Sequence, residues 1–260
     1  MDIILLLLIG IIASIIGALM GIGGGVIIVP ALIYLGNNTH ILDAMTVQNA
    51  VGTSAVTLVF TGLFSMLAYG KSKTTDIRNG TLFSIGIMPG ALLGAYLSRF
   101  LDQDSFGIIF GLFLLVIFTV LTSKNKMIDK KDGLYKEKKA FKPLQSITAS
   151  FFIGISAGLF GVGGGALMTP LMIIVLNFSP HAAVATSMII IFSSSLSSAV
   201  GHFAQGNILW GYAALLIIAT YIGSKIGVKI NRSLNSHTLS QVLRFGLLIL
   251  GIYMIIDALI

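Results

Sequence analysis

The sequence predicts an all-α polytopic membrane protein of about eight transmembrane segments, built as a duplicated four-helix repeat with two glycine-broken helices. Three observations support this fold class. The composition is too apolar for a soluble domain, long apolar runs alternate with short polar bends, and one motif of the form GxGGGxxxxP occurs in both halves of the chain.

The composition places most of the chain in a membrane. Of the 260 residues, 56% are hydrophobic and only 10% are charged. Soluble domains carry about 25% charged residues. The mean hydropathy of +0.99 agrees with several membrane-spanning helices, so we expect the lipid bilayer to be the main partner of the chain.

The residue content argues against several kinds of chemistry. The chain has no cysteine, which excludes disulfides and thiolate metal sites. Its four histidines are scattered without ligand spacing, so we expect no metal, no cofactor and no enzymatic activity. The net charge of +7 derives largely from eight lysines between Lys124 and Lys142, which is typical of a topology signal rather than of nucleic-acid binding.

The glycine motif begins at Gly21 and ends at Pro30, and its second copy begins at Gly161 and ends at Pro170. Glycine is among the least favourable residues in a helix interior, so four glycines within five residues predict a break. A break frees backbone N–H and C=O groups, which need partners in an apolar surrounding. We therefore predict breaks at 21–25 and 161–165, with Pro30 and Pro170 as accompanying helix-break residues.

The breaks also explain the length of the first apolar run. A helix over residues 3–35 would be ~50 Å long, against a hydrocarbon core of ~30 Å. The sequence therefore predicts helices over 3–20, 26–35, 44–68, 80–99, 105–122, 144–160, 166–176, 181–203, 208–226 and 238–258. The chain is predicted to consist of a first four-span repeat (1–122), a basic linker (123–143) and a second four-span repeat (144–260).

Further matches extend the repeat beyond the glycine motif. Residues 50–54, AVGTS, match residues 183–187, AVATS, and a GxxxG pair at 90 and 94 matches a pair at 223 and 227. The GxxxG pairs are typical of close helix packing. If each broken segment crosses once, the two halves are parallel, and if one turns back while the other crosses, they are inverted. The sequence leaves both arrangements open.

Positive charges indicate an orientation. On the eight-span model, the side that holds the linker also holds Lys71, Lys73 and Arg78. The other side holds only Arg99, Lys225, Lys229 and Arg232. The positive-inside rule then places the linker, and with it the C-terminus, in the cytoplasm of a cell-membrane protein.

These features together resemble the TauE/SafE family of sulfite exporter-like membrane proteins. The resemblance rests on the two glycine motifs, the AVGTS-like segment that follows each, and the basic linker between the halves. It implies transport of a small sulfur-containing anion (sulfite, a sulfonate, sulfoacetate or thiosulfate) across the cytoplasmic membrane. We predict a secondary-type transporter that works by alternating access, in which one half or sub-bundle moves against the other. The chain departs from its own pattern at Ala185, which stands where the first half has Gly52.

The candidate substrate site consists of the two breaks and of polar side chains in the spans that follow them. Backbone N–H groups at a broken helix, together with the positive end of the helix dipole, suit an anion. The candidate substrate-binding residues are Gly21, Gly23, Gly24, Gly25, Asn49, Thr53, Gly161, Gly163, Gly164, Gly165, Thr186 and Ser187. The alternative explanation of the glycines is close helix packing alone.

Two cations are candidates for a vestibule that attracts anions. Arg244 lies about two turns inside the last span, and Lys225 lies two residues after Gly223. The competing explanation is snorkelling to lipid headgroups. The serines between Ser193 and Ser198 suit either neutral donors of an anion pathway or hydrogen bonds between helices, and the second explanation is favoured.

Acidic residues are absent from the predicted mid-span positions, which argues against a carboxylate proton relay. The coupling ion, the direction of transport and a homodimer are left open by the sequence. A membrane scaffold or accessory subunit without a substrate is the alternative function.

Overall fold

The computed structural model describes residues 2–37, 39, 42–43, 45–70, 74–123 and 143–259. These residues form ten α-helices and one short 3-10 helix, Ser98–Phe100. The α-helices are α1 Asp2–Met20, α2 Gly25–Asn37, α3 Val47–Tyr69, α4 Ile77–Leu97, α5 Gln103–Ser123, α6 Pro143–Phe160, α7 Gly165–Ile174, α8 Pro180–Ala204, α9 Trp210–Ser233 and α10 Ser236–Leu259. The all-helical prediction is confirmed, and the basic linker lies almost wholly outside the described residues.

Six stretches of the described chain are long and apolar enough to cross a membrane. They are Ile3–Met20, Val47–Tyr69, Ile77–Phe100, Pro143–Phe160, Pro180–Ala204 and Trp210–Ser233. Shorter apolar stretches lie at Gly25–Asn37, Ser105–Val116 and Gly165–Ile174. The chain is therefore a multi-pass membrane protein, and the number of eight spans stays a prediction.

The two helix breaks occur where glycine propensity places them. The first lies between the end of α1 at Met20 and the start of α2 at Gly25, and the second lies between α6 and α7 at residues 161–164. Five of the break glycines have a positive φ, a backbone conformation that residues with a side chain rarely adopt. They are Gly21, Gly23, Gly161, Gly163 and Gly164. Pro30 and Pro170 lie inside continuous helices, so glycine alone makes the breaks.

The chain turns back at each break. A Cβ added at Gly24 would lie 2.9 Å from the carbonyl oxygen of Ala13, and Ile9 of α1 shares one groove with Pro30 and Tyr34 of α2. In the second half, Ile153 and Ala157 of α6 border the same small cavity as Leu167 of α7. Both helix pairs are thus antiparallel hairpins, whereas the eight-span model counted each broken segment as one crossing.

The GxxxG pairs lie at contacts between the two halves of the chain. Gly90 and Gly94 of α4 pack on α6 at Phe151 and Ile155, so α4 and α6 run parallel. The pair at 223 and 227 of α9 packs in the same way on residues 11–18 of α1. Small residues allow these helices to approach closely, as the pattern predicts.

Helices α3 and α8 form the centre of the molecule and run antiparallel. Gly52, near the start of α3, contacts His202 near the end of α8, and Gly62 contacts Phe192. Both helices are mostly buried, and both carry rows of buried Ser and Thr side chains. The two glycine turns pack against this central pair.

Candidate functional site: the paired glycine turns

The candidate site is formed by turn 1 (residues 21–24) and turn 2 (residues 161–164), which contact each other. A Cβ added at Gly23 would lie 2.8 Å from the carbonyl oxygen of Val162. A Cβ at Gly25 would overlap the carbonyl oxygen of Gly161, and one at Gly165 would overlap that of Gly21. The backbones can approach this closely at all three positions because glycine has no side chain.

Hydroxyl groups from neighbouring helices occupy the carbonyl oxygens of the turns. The Gly21 carbonyl accepts from Thr169 Oγ1 at 2.6 Å and from Ser187 Oγ at 3.1 Å. The Gly161 carbonyl accepts from Ser54 Oγ at 3.0 Å. Each bond joins residues of opposite halves of the chain, so these hydroxyls connect the halves at the turns.

Four amide groups of the turns lack such partners in the described part of the chain, whereas those of Gly21 and Val162 donate to Gly17 and Ala157 of the preceding helices. The N–H groups of Gly23 and Gly24 in turn 1, and of Gly163 and Gly164 in turn 2, have no hydrogen-bond partner among the described residues. All four glycines are buried. Helices α2 and α7 begin directly after the turns, so the positive ends of two helix dipoles lie here as well. Buried donors with occupied carbonyls beside them form a surface that suits an anion.

Ionised side chains are scarce around the turns. Among the described residues, the buried polar side chains are Ser, Thr, Asn and one His, with no Asp, Glu, Lys or Arg. No group of three described His, Asp or Glu residues is arranged to hold a metal ion. The backbone and neutral hydroxyls are therefore the polar groups that this site offers.

Thr53 and Thr186 are buried near the turns, but their hydroxyl oxygens accept hydrogen bonds from backbone amides at the N-termini of other helices. Thr53 Oγ1 accepts from the amide of Leu209, which precedes α9, at 3.1 Å. Thr186 Oγ1 accepts from the amide of Asp76, which precedes α4, at 3.0 Å. Each threonine thus caps a helix of the other half, which is a structural role that the sequence interpretation did not include.

Two other predicted residues, Asn49 and Lys225, make contacts within their own helix or its N-cap. Asn49 lies in the first turn of α3, where its amide donates to Thr46 Oγ1 at 3.1 Å. Lys225 is exposed on α9, and its ammonium lies 3.8 Å from the ring centroid of Tyr221 in the same helix. Arg244 belongs to α10, and its side chain lies outside the described part of the structure.

Four hydroxyl residues at the turns were not among the predicted site residues. Ser54 and Thr169 donate to turn carbonyls, Ser194 Oγ donates to the Gly163 carbonyl at 2.8 Å, and Ser195 Oγ lies 2.8 Å from where a Cβ of Gly163 would be. The sequence contains features that could have identified two of these four residues. Ser54 ends the AVGTS segment, and Thr169 is a polar residue inside the second glycine motif, where the first copy has Val29.

Comparison with known proteins identifies relatives over nearly the whole chain. The family model described as Sulfite exporter TauE/SafE matches residues 6–254. The probable membrane transporter protein YunE of Bacillus subtilis is 38% identical over 269 residues, which covers 99% of this chain and 98% of the relative. A probable membrane transporter protein of Methanocaldococcus jannaschii is 26% identical and covers 97% of this chain and 95% of the relative.

A probable membrane transporter protein of Haemophilus influenzae is 32% identical over 171 residues, or 65% of this chain and 62% of the relative. No solved structure matches the chain.

Proposed function

Because this chain belongs to the sulfite exporter TauE/SafE family and is a membrane transporter rather than an enzyme, we propose that it carries a small sulfur-containing anion held between turns 1 and 2. The candidate cargoes are sulfite, a sulfonate, sulfoacetate and thiosulfate. The family name supports this class, and the chemistry of the paired turns supports it independently.

The observation that carries the proposal is the polarity of the turns. The carbonyls of Gly21 and Gly161 accept hydrogen bonds from hydroxyl groups. The amides of four turn glycines have no partner among the described residues: Gly23, Gly24, Gly163 and Gly164. An isolated anion in an apolar medium costs tens of kcal/mol by Born estimates, so several converging donors are required. Oxyanions of sulfur offer two or three oxygens, each of which accepts several hydrogen bonds, and thereby match such a cluster.

The close packing of the turns supports transport by alternating access. A methyl group at Gly23 would already lie 2.8 Å from a backbone oxygen of the opposite turn, so an anion does not fit between the turns in this arrangement. We propose that turn 1 and turn 2 separate to admit the anion and close again behind it. The hydroxyl bonds from Ser54 and Ser187 would then break and re-form in each cycle.

Helix directions support an inverted relation between the two halves. α3 and α8 run antiparallel, whereas α1 runs parallel to α9 and α4 runs parallel to α6. If each long helix crosses the bilayer once, corresponding helices of the two halves cross in opposite directions. We therefore infer that 1–122 and 144–260 are inverted repeats in which both broken segments turn back. This differs from the parallel arrangement and from the case in which only one segment turns back.

The same directions revise the expected orientation. α5 ends and α6 begins on one side, whereas α10 ends on the other, so the linker and the C-terminus are assigned to opposite sides. All Lys and Arg residues except Arg99 then belong to segments on or nearer the linker side. We propose that the linker is cytoplasmic and that the C-terminus is outside. The sequence-based placement of both in the cytoplasm does not fit helices that turn back at each break.

Thermal unfolding of the purified full-length protein in detergent tests the cargo class. The melting temperature is compared in sulfite, thiosulfate, sulfoacetate, sulfate and chloride at equal ionic strength. A cargo at 100 times its Kd stabilises the folded state by about 2.7 kcal/mol. We expect at least one sulfur oxyanion to raise the melting temperature well above the value in chloride. Equal values in all five salts would refute the proposal.

A further inference from the structure

Helix α8 carries a row of buried polar side chains that leads away from turn 2. Ser195, Ser198 and His202 follow at spacings of three and four residues, so they share one face of the helix. All three are buried, with exposed fractions of 1%, 2% and 0%. The row extends about 10 Å along the helix at 1.5 Å per residue.

The two serine hydroxyls in this row have no hydrogen-bond partner among the described residues. This is unusual, because the other described serine hydroxyls of α8 donate to carbonyl oxygens, among them Ser193 to Ile189 and Ser194 to Gly163. A buried hydroxyl without a partner destabilises a fold by about as much as its lost hydration. Buried hydroxyls without a partner are rare in native proteins, and a bound water or ion is one of the explanations for them.

The geometry connects this row to the paired turns. Ser195 Oγ lies 2.8 Å from the position of a Cβ on Gly163, so the hydroxyl borders a turn in which the amides of Gly163 and Gly164 have no partner among the described residues. At the other end, His202 lies among α3, α6 and the loop after α8. There, Gly52 contacts its Cβ, Gly158 O lies 3.5 Å from Nε2, and Asn207 Nδ2 lies 3.5 Å from Nδ1.

Helix α3 shows a related arrangement. The match of AVGTS with AVATS aligns Ser65 with Ser198 and Tyr69 with His202. Ser65 Oγ is also buried and has no partner among the described residues. Tyr69 donates to the Ala18 carbonyl of α1, just as His202 faces Gly158 of α6. The two antiparallel helices thus carry corresponding polar rows that lead in opposite directions.

We propose that the hydroxyls of Ser195 and Ser198 bind the transported anion directly as it enters or leaves the paired turns. The inference rests on the proposed function, since it assigns side-chain ligands to the same cargo. It identifies a neutral, hydroxyl-lined path beside turn 2 that ends at His202. Neutral donors bind an anion without trapping it, which transport requires.

The test compares Ser195→Ala and Ser198→Ala with the matched control Ser193→Ala, all in the full-length protein. The control removes the same hydroxyl from the same helix, but that hydroxyl already donates to Ile189 O. Sulfite, thiosulfate and sulfoacetate are titrated against each purified variant, and the melting temperature is also measured without added anion. A hydrogen bond to a charged group corresponds to about a tenfold or larger change in Kd.

We expect Ser195→Ala and Ser198→Ala to bind the responding anion at least about tenfold more weakly than the wild type, while Ser193→Ala binds within about twofold. Without anion, the first two variants should melt at or above the wild-type temperature, because each loses an unpaired buried hydroxyl. A structural role would instead lower that temperature.

If Ser195→Ala and Ser198→Ala both bind the anion as tightly as the wild type, the assignment of these two serines is overturned, but the proposed function is not. A wild-type protein that binds none of the three anions would overturn the proposed function, and this inference with it.

Discussion

The substitution Gly165→Ala tests how closely the two turns are held together. Gly165 is the first residue of α7, and an alanine Cβ there would overlap the carbonyl oxygen of Gly21. Gly165 has no positive φ, so alanine would be penalised by this contact and not by its own backbone conformation. The Gly21 carbonyl already accepts from Thr169 and Ser187, so moving it would stretch two hydrogen bonds.

We expect Gly165→Ala to lower the free energy of unfolding by about 1–3 kcal/mol, the usual cost of overpacking. For a chain of this size, that corresponds to a fall in melting temperature of about 2–12 °C. Gly211→Ala in α9 is the matched control, since a Cβ there would meet nothing within 4 Å. Alanine is favoured over glycine in a helix by about 0.5–1 kcal/mol, so the control should melt at or above the wild-type temperature. Equal melting temperatures for the two variants in detergent would refute the close contact of the turns.

Four further substitutions separate the roles of individual side chains. Ser54→Ala should lower stability by about 1–3 kcal/mol, because its acceptor in turn 2 loses the one hydroxyl donor found among the described residues. Ser187→Ala should cost less, because its acceptor in turn 1 keeps the bond from Thr169, and the reverse order of melting temperatures would contradict this account. Thr53→Val should cost about 1 kcal/mol by removing the acceptor for the amide before α9, and an unchanged melting temperature would count against that capping role. Lys225→Gln should leave sulfite affinity within about twofold, because the ammonium lies over a tyrosine of its own helix, and a tenfold loss in a binding titration would favour the vestibule interpretation instead.

Local propensity was sufficient to locate the helix breaks. Four glycines in five residues disfavour a helix whatever surrounds them, and the observed boundaries at Met20 and Gly25 fall within a residue of the predicted ones. The same argument was misleading for Pro30 and Pro170. Each lies inside a short helix that tertiary contacts stabilise despite the missing N–H.

The direction of the chain after each break could not be predicted from the motif. It depends on contacts such as that between Gly24 and Ala13, which lie eleven positions apart and carry no directional signal in their residue types. A glycine break is compatible with either a crossing or a hairpin. The direction of the chain after each break therefore required the three-dimensional contacts, and the side that we propose for the C-terminus depends on that direction.

The roles of neighbouring polar residues in the site also could not be predicted from the sequence. Thr53 and Ser54 are adjacent in the sequence. The prediction selected Thr53 but not Ser54 as a substrate ligand, although it selected both of their counterparts, Thr186 and Ser187. Successive residues on a helix point about 100° apart, so each member of the pair meets a different neighbour. In the structure, Ser54 reaches turn 2 while Thr53 caps α9. Sequence spacing alone does not determine which of the two faces the turn.

The central claim is that the free amides of the two turns hold the anion, and backbone NMR of protein labelled with ¹⁵N-glycine tests it most directly. The amide resonances of Gly23, Gly24, Gly163 and Gly164 would be followed during titration with sulfite, with chloride as the control. Because these amides have no partner among the described residues, new hydrogen bonds to sulfite should shift their proton signals downfield in a saturable manner. Saturable sulfite binding that leaves all four resonances unchanged would contradict the account.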